Sequence, residues 1–315
     1  MKTYFGVAQL PAPVEASAVT IGNFDGLHSG HREIMQRLKD SAQSLGVLSA
    51  VVTFDPHPVQ VLYPERALAR LFDLQDLQEQ LSQQGVDLLI VEPFSREFAA
   101  LDPKVYLRDW VVRPLGLRKL LVGYDFSFGR QRSGNLQLLA ELGQSLGFDL
   151  EVVTAVQGEG GEVVSSSRIR KALAQGQVER AAEMLQRPFS VRGFVERGQG
   201  RGRSLGFPTA NLQITSQTLP QKGVYICRAW RKGKKFAALT NIGVNPTFAA
   251  QGSEQLKVET HLWDWPQDRD LYGEEVKLEF LHRLRDEEKF SGPLALREAL
   301  EKDLKEAKSW WGAKH

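Results

Sequence analysis

Cysteine is almost missing from this sequence: Cys227 is the single one among 315 residues. One thiol excludes an intrachain disulfide and any zinc site built on paired cysteines. Cys227 itself lies in the alternating stretch "GVYICRAW" and is expected in a strand core. Long apolar runs are missing too. No stretch reaches the ~20 residues of a membrane-crossing helix, and the N-terminal "MKTYFGVAQLPAPVEAS" lacks the apolar run of a secretory signal. A cytoplasmic protein with no membrane partner is expected. A strong excess of one charge is also absent, since 40 Lys and Arg against 38 Asp and Glu leave +2. That balance is too mild to demand nucleic acid, though it suits anionic ligands. No internal repeat or low-complexity tract interrupts the chain.

What is present is enough apolar residue, 42%, to bury real cores, in a chain long enough for about two domains. Two rhythms divide it. Up to about Arg187, short apolar runs ("SAVTIG", "VLSAVVTF", "VDLLIVE", "RKLLVG", "FDLEVVTAV") alternate with helical patterns such as "DLQDLQEQLSQQG", "PKVYLRDWVVRPLG" and "NLQLLAELGQSLG". Nearly continuous apolar strands separated by helices imply a parallel sheet covered on both faces, with ligands at the carboxyl ends of its strands. Beyond "LQRPFSVRG", short alternating segments separated by Gly, Pro and Asn imply a small antiparallel barrel or sandwich. A terminal amphipathic helix follows through Leu296, Leu300 and Leu304. Trp310 and Trp311 have two expected places, on the barrel or on a neighbouring subunit.

The first chemical motif is "VTIGNFDGLHSGHREIM". Its pattern is a strand end, a turn and a helix beginning near His28 to Gly30, which puts His28 and His31 at a helix N-terminus. Free backbone N–H groups and partial positive charge there suit phosphate. A metal pair would need a third ligand, which His57 supplies only if the fold brings it close; incidental surface histidines are the third possibility. In "GYDFSFGRQRSGN" three aromatics, several glycines, Arg130 and Arg132 fit either a ligand loop or a packed aromatic turn, and Asp25 and Asp125 can each be plain turn residues. "SSSRIR" opens a late helix, as an ordinary serine cap or as hydroxyls and guanidinium groups for phosphate.

The second half holds "RGQGRGRSLGFPTANLQI", a glycine- and arginine-rich loop leading into a strand. Thr209 and Asn211, two apart, face the same way and together make oxygen ligands for a hard cation; a plain surface turn is the alternative. In "KVETHLWDW" alternation puts Glu259 and His261 on one face, and Glu259 is either a general base or a solvated carboxylate. "CRAWRKGKK" gathers Arg228, Arg231, Lys232, Lys234 and Lys235, which fit a phosphate backbone or a charged hairpin tip.

"HSGH" after a strand and "FDG" turn resembles the first signature of the nucleotidylyltransferases, and "SSSRIR" resembles their second, with Ser167 where Thr is usual. "GRSLGFPTAN", "GVY", "NIGVNPTF", "VETHLWDW", "DLYGE" and "LRDEEKF" follow in the order of riboflavin kinases. Over nearly its whole length the chain resembles the prokaryotic bifunctional riboflavin kinase/FAD synthetase family. The resemblance implies a Rossmann-like nucleotidylyltransferase domain over 1–186, joining FMN to AMP from ATP. It also implies a riboflavin kinase barrel with a terminal helix over 187–315. Riboflavin, FMN, FAD and ATP are then the partners, with Mg²⁺ as cofactor and no nucleic acid. His28 and His31 are carried over as catalytic phosphate ligands, Glu259 as catalytic base, Thr209 and Asn211 as metal–nucleotide ligands. Gly22, Phe24, Asp25, Gly30, Asp125, Ser165, Ser166, Ser167 and Arg170 are carried over as ATP-binding, with Gly202, Arg203, Gly206 and Pro208 in the second half. Asn23, Phe126, Phe128, Arg285 and Phe290 are carried over as flavin-binding.

Overall fold

The computed structural model describes residues 1–66, 69–158, 161–198, 202, 205–215, 217–244, 256–263, 265–266 and 271–314. Arg203, and the Asn-Pro-Thr-Phe of "NIGVNPTF", lie outside them. The chain forms two compact units, Met1–Ser166 and Ser167–His315.

The first unit is a six-stranded sheet of β1 (Lys2–Tyr4), β2 (Ser17–Ile21), β3 (Leu48–Asp55), β4 (Leu88–Pro93), β5 (Leu117–Gly123) and β6 (Asp149–Val153). Its order is β1-β4-β3-β2-β5-β6 and every pairing is parallel. Five strands fall on the apolar runs; β1, three residues at the sheet edge, is too short to show a period. The runs are continuous because both faces are covered. Val19, Ile21, Val52, Ile90, Leu120 and Val122 pack on one side against Tyr106, Leu107 and Val111. Ala18, Val51, Leu89 and Leu121 pack on the other against Met35, Leu38, Leu77 and Leu81. Those last four belong to α1 (Ser29–Leu45) and α2 (Leu74–Gln83), while α3 (Leu136–Leu146) joins β5 to β6. The expected helix over "PKVYLRDWVVRPLG" is present, with a π turn at Leu107–Val112 before Pro114, which removes a helical donor.

From β2 the chain crosses to β3 on one side, and from β5 to β6 on the other. The loops after β2 and β5 therefore diverge, opening a crevice at the carboxyl ends of these neighbours, where open parallel sheets bind ligands.

The second unit is a closed antiparallel barrel, in order β10-β11-β8-β7-β12-β9. Its strands are β7 (Phe189–Glu196), β8 (Ala210–Gln213), β9 (Gly223–Arg231), β10 (Lys234–Val244), β11 (Leu256–Leu262) and β12 (Glu275–Arg285). Phe189, Tyr225, Cys227 and Phe280 fill the interior, fully buried, with Tyr225 edge-on to Phe280 at 5.4 Å. Burial pushes the Cys227 thiol up to about 12. The helices α4 (Ser166–Ala174) and α5 (Val178–Leu185) precede the barrel. They are fastened to it by Gln221 N–H donating to Leu173 O at 2.8 Å and by Glu179 against His282 Nδ1 at 2.5 Å. The compact units thus divide at the first residue of these helices, whereas the change of rhythm in the sequence comes after them.

The terminal helix α6 (Pro293–Lys314) covers the outer side of β9 and β10. Ala307, Trp310 and Trp311 pack with Val224, Ile226, Leu239 and Trp263. Of the two places open to the tryptophans, the barrel is the one they take. The helix also buries a charge: Asp303, 3% exposed, accepts two hydrogen bonds from Arg285, at 2.9 and 2.6 Å.

Gly116, at φ 55°, closes the helix before β5, and a Cβ there would overlap the carbonyl oxygens of Val14 and Glu15. Gly116→Ala combines a left-handed backbone with an immovable clash, so urea denaturation should show a loss of at least about 2–3 kcal/mol.

Candidate functional site

The turn after β2 lies in the crevice. Phe24 and Leu27 adopt left-handed backbone angles, φ 47° and 39°, although neither is glycine. Both side chains are buried in the core on the α1 side. Leu27 N–H donates to Phe24 O at 3.1 Å and closes the turn. Gly22 is required because a Cβ would meet the Phe24 ring at 2.9 Å. His28 then occupies the N-cap of α1 in extended conformation, without a side-chain cap bond. His28 and His31 stack with ring centroids 3.7 Å apart, and Phe24 stands edge-on to His31 at 5.4 Å. Gly30 leaves room for this arrangement, since a Cβ would press on the His28 ring at 3.2 Å.

Burial holds both imidazoles neutral. His28 is lowered to about 4, desolvation outweighing the opposing pull of Asp25 and Asp125. His31 is lowered well below its usual value by burial, with His28 adding to the effect. Nδ1 of each ring is buried without a hydrogen-bond partner. Two neutral rings at the start of a 17-residue helix are a site for an anion that brings its own hydrogen-bonding oxygens. The metal-pair reading loses its third ligand: His57 Nδ1 caps its own short helix, accepting from Val59 N–H at 3.2 Å. Among the described residues no three His, Cys, Asp or Glu are grouped to hold a metal.

Two other motif residues meet this turn. Ser166 Oγ donates to Asp25 O at 2.8 Å, joining positions 141 apart. Asp25 Oδ1 accepts from Leu71 N–H at 2.9 Å, so this carboxylate also has a structural duty. Asp125, after β5, is close enough to act on His28. Asn23, Phe24 and Asp25 also line a cleft with Thr53, His57 and Arg70. Phe126 and Phe128 stack on each other at 5.5 Å, and Phe128 leans on Tyr106 at 5.8 Å. Both are part of the aromatic layer against the core, so the packed-turn reading holds for their rings whatever else they do.

In the barrel, register builds the site. Val258, Thr260 and Leu262 point inward and are buried, which leaves Glu259 and His261 on the outer face. Asn211 of β8 and Asn241 of β10 are the direct cross-strand partners of Glu259, one on each side. Glu259 Oε1 accepts from Lys257 Nζ at 2.6 Å. Asn211 Oδ1 is buried and has no hydrogen-bond partner. Such an orphan acceptor is costly unless a ligand completes it. Glycines make the room: a Cβ on Gly198 would strike the Asn211 amide, and one on Gly202 would come within 3.2 Å of Thr209 Oγ1. The loop turns on the Gly202 carbonyl, which accepts from Leu205 and Phe207, with Gly206 left-handed at φ 83°. Pro208 O is held by His261 Nδ1 at 2.9 Å. Burial lowers His261 against the raising effect of that bond, so the neutral ring is the donor.

Two family models match in succession: one described as FAD synthetase over residues 11–168, one as riboflavin kinase over 185–311. Curated bifunctional riboflavin kinase/FMN adenylyltransferases are similar end to end. The protein of Escherichia coli K12 is 36% identical over 99% of this chain and 98% of its own. That of Bacillus subtilis 168 is 36% identical over 92% and 91%. This chain belongs to the bifunctional riboflavin kinase/FMN adenylyltransferase family. A solved structure from Streptococcus pneumoniae, described as a macrolide-efflux protein, superposes with a TM-score of 0.85 at 28% identity, covering 98% of this chain and 99% of that one.

Within that family frame, the structure brings together Asp25, His28, His31, Asp125 and Ser166 in one half, and Thr209, Asn211 and Glu259 in the other. Arg285 is committed to Asp303 and to Asp286 O, with Phe290 5.8 Å below its guanidinium. The basic hairpin is largely neutralised: Arg228 pairs with Glu279 at 3.2 Å, and Arg231 and Lys232 share Glu274. Sequence reasoning missed Asn241, Thr53 and Arg70. For Asn241 the signal was available, because alternation in "KFAALTNIG" and "KVETHLWDW" already sets both outer faces.

The lowered His28 has a pH signature. Above pH 6.5 the ring is neutral folded or unfolded and contributes nothing. Between 6.5 and about 4 only the unfolded chain takes the proton, so stability falls as pH drops, by roughly 3 kcal/mol in all, and levels below that. Urea denaturation at pH 7 and 4.5 should show His28→Gln losing less stability on acidification than the unsubstituted protein.

Proposed function

We propose that this protein phosphorylates riboflavin to FMN with ATP and then joins FMN to AMP from a second ATP, releasing pyrophosphate. Adenylylation is assigned to residues 1–186 and phosphorylation to 187–315, in a cytoplasmic setting. The observation that carries the reading is the hydrogen bond from Ser166 to the carbonyl of Asp25, which unites two phosphate motifs remote in sequence. The kinase half is supported by the row Asn211–Glu259–Asn241.

In the kinase half, the terminal ribityl hydroxyl of riboflavin gives its proton to Glu259 and its oxygen attacks the γ-phosphorus of ATP, with ADP leaving. Thr209 Oγ1 and Asn211 Oδ1 are oxygen donors suited to Mg²⁺, and the unpartnered Asn211 oxygen is the observation that favours a cation there. When bound, Mg²⁺ supplies charge neutralisation on the ATP phosphates. Gly202, Arg203, Gly206 and Pro208 are assigned to the nucleotide, and Arg285 and Phe290 to the flavin.

In the adenylylation half, a phosphate oxygen of FMN attacks the α-phosphorus of ATP. The N-terminus of α1 and one N–H from each neutral imidazole, His28 and His31, receive the charge gathering on the leaving pyrophosphate. Ser165 and Ser166 serve the same phosphates, and Ser167 and Arg170 keep the ATP assignment that the second motif implies. Gly22, Phe24, Asp25, Gly30 and Asp125 shape the nucleotide side, while Asn23, Phe126 and Phe128 shape the flavin side. Neither step needs a covalent enzyme intermediate, and the buried Cys227 is not called upon.

Purified protein with riboflavin, ATP and Mg²⁺, followed by flavin chromatography over time, should give FMN first and FAD after it. Glu259→Gln should slow FMN formation about 10³-fold and leave conversion of supplied FMN to FAD intact. His28→Ala should do the reverse, by at least about 10²-fold. No conversion of either flavin by the unsubstituted protein would sink the proposal. Chelation with EDTA should stop both steps, and Asn211→Ala should raise the Mg²⁺ needed for FMN formation alone.

A further inference from the structure

Glu259, the assigned base, does not stand free: Lys257 Nζ holds its Oε1 at 2.6 Å, both side chains about one-third exposed. An ammonium on Oε1 competes with a substrate hydroxyl for the carboxylate, so release of the lysine frees the base when riboflavin arrives. A second carboxylate waits on the same face. The direct cross-strand partner of Lys257 is Gly243, on the outer side of β10. Over Gly243 lies Glu287, whose Oε1 stands 2.1 Å from where a Cβ would be. Cross-strand partners carry Cβ positions about 5 Å apart, well within the reach of a lysine stem. Lys257 therefore sits between two carboxylates, Glu259 two residues along its own strand and Glu287 across the ladder.

The backbone next to Glu287 is fixed from elsewhere. Glu287 follows β12 in "LRDEEKF", two residues after Arg285. Arg285 is pinned by its bidentate pair with the buried Asp303 and donates to Asp286 O at 2.8 Å. Three guanidinium donors thus fix the start of the segment that delivers Glu287. Gly243 is the residue that makes space for it.

We propose that Lys257 exchanges partners during the kinase cycle: paired with Glu259 in the resting protein, it moves to Glu287 when the substrate hydroxyl takes its place on the base. Lys257 and Glu287 are then positioning residues, acting on the reaction through Glu259. No bond is made or broken in this exchange beyond the two ion pairs, and it deepens the kinase assignment on which it rests.

Removing the second carboxylate should trap the lysine on the base. Glu287→Gln is expected to lower kcat for FMN formation about tenfold, with KM for riboflavin changed less than twofold and the FMN-to-FAD step untouched. Adding Lys257→Met to that variant should recover most of the loss, because nothing remains to hold Glu259; Glu287→Asp should retain most of the rate. A purely structural Glu287 would show no recovery in the double variant, and that result overturns the exchange, as does an unchanged kcat in Glu287→Gln. Thermal unfolding of each variant, together with its FAD-forming activity, identifies a misfolded protein. If Glu259→Gln still phosphorylates riboflavin at the normal rate, the assignment of the base fails instead.

Discussion

The burial of Phe24 and Leu27 holds the adenylylation half together. Left-handed backbone at a non-glycine residue costs roughly 1–2 kcal/mol, and the turn after β2 incurs that cost twice. Each side chain recovers about 2–3 kcal/mol by being buried, so the turn persists because its two strained residues are anchored in the core between sheet and helix. Everything around it follows. The Asp25 carbonyl is turned toward Ser166, Asp25 Oδ1 is occupied by Leu71 N–H, and His28 arrives at the N-cap with its ring against His31. A site so supported needs little rearrangement to receive charge.

In the proposed reactions the two halves meet phosphate by different physical routes. One uses a helix end and two imidazoles that burial keeps uncharged, so attraction comes from N–H groups and aligned peptide dipoles. The other uses the outside of a barrel, where strand register lines up polar side chains and glycines supply the clearance. The second has oxygen donors and a carboxylate, and so calls for a positive charge to arrive with the nucleotide.

Periodicity made most of the fold legible. The five longer parallel strands, the six barrel strands and the terminal helix all coincide with runs whose spacing reflects burial on two faces, on one face, or along a stripe. β1 was invisible because three residues carry no period. The motif residues were legible by type and local position, yet their meeting was not. The contact of Ser166 with Asp25 depends on the sheet order, and Glu259 faces outward because Val258 and Thr260 are the buried pair. Lys257 and Glu287 carried no local signal, since one reads as an ordinary strand lysine and the other as a loop carboxylate. The commitment of Arg285 to Asp303 was equally hidden, for a buried aspartate on an amphipathic stripe looks like an exposed one until the helix is docked.

Cys227 has no part in this chemistry, and its placement has a practical consequence of its own. A thiol with no exposed surface, pushed up to about 12 and fixed on an inward strand position, offers essentially no thiolate to an alkylating reagent while the barrel is closed. As the chain's single sulfhydryl, it is a built-in clock for the second unit alone. Its rate of modification counts how often those six strands part, undisturbed by whatever the parallel sheet is doing.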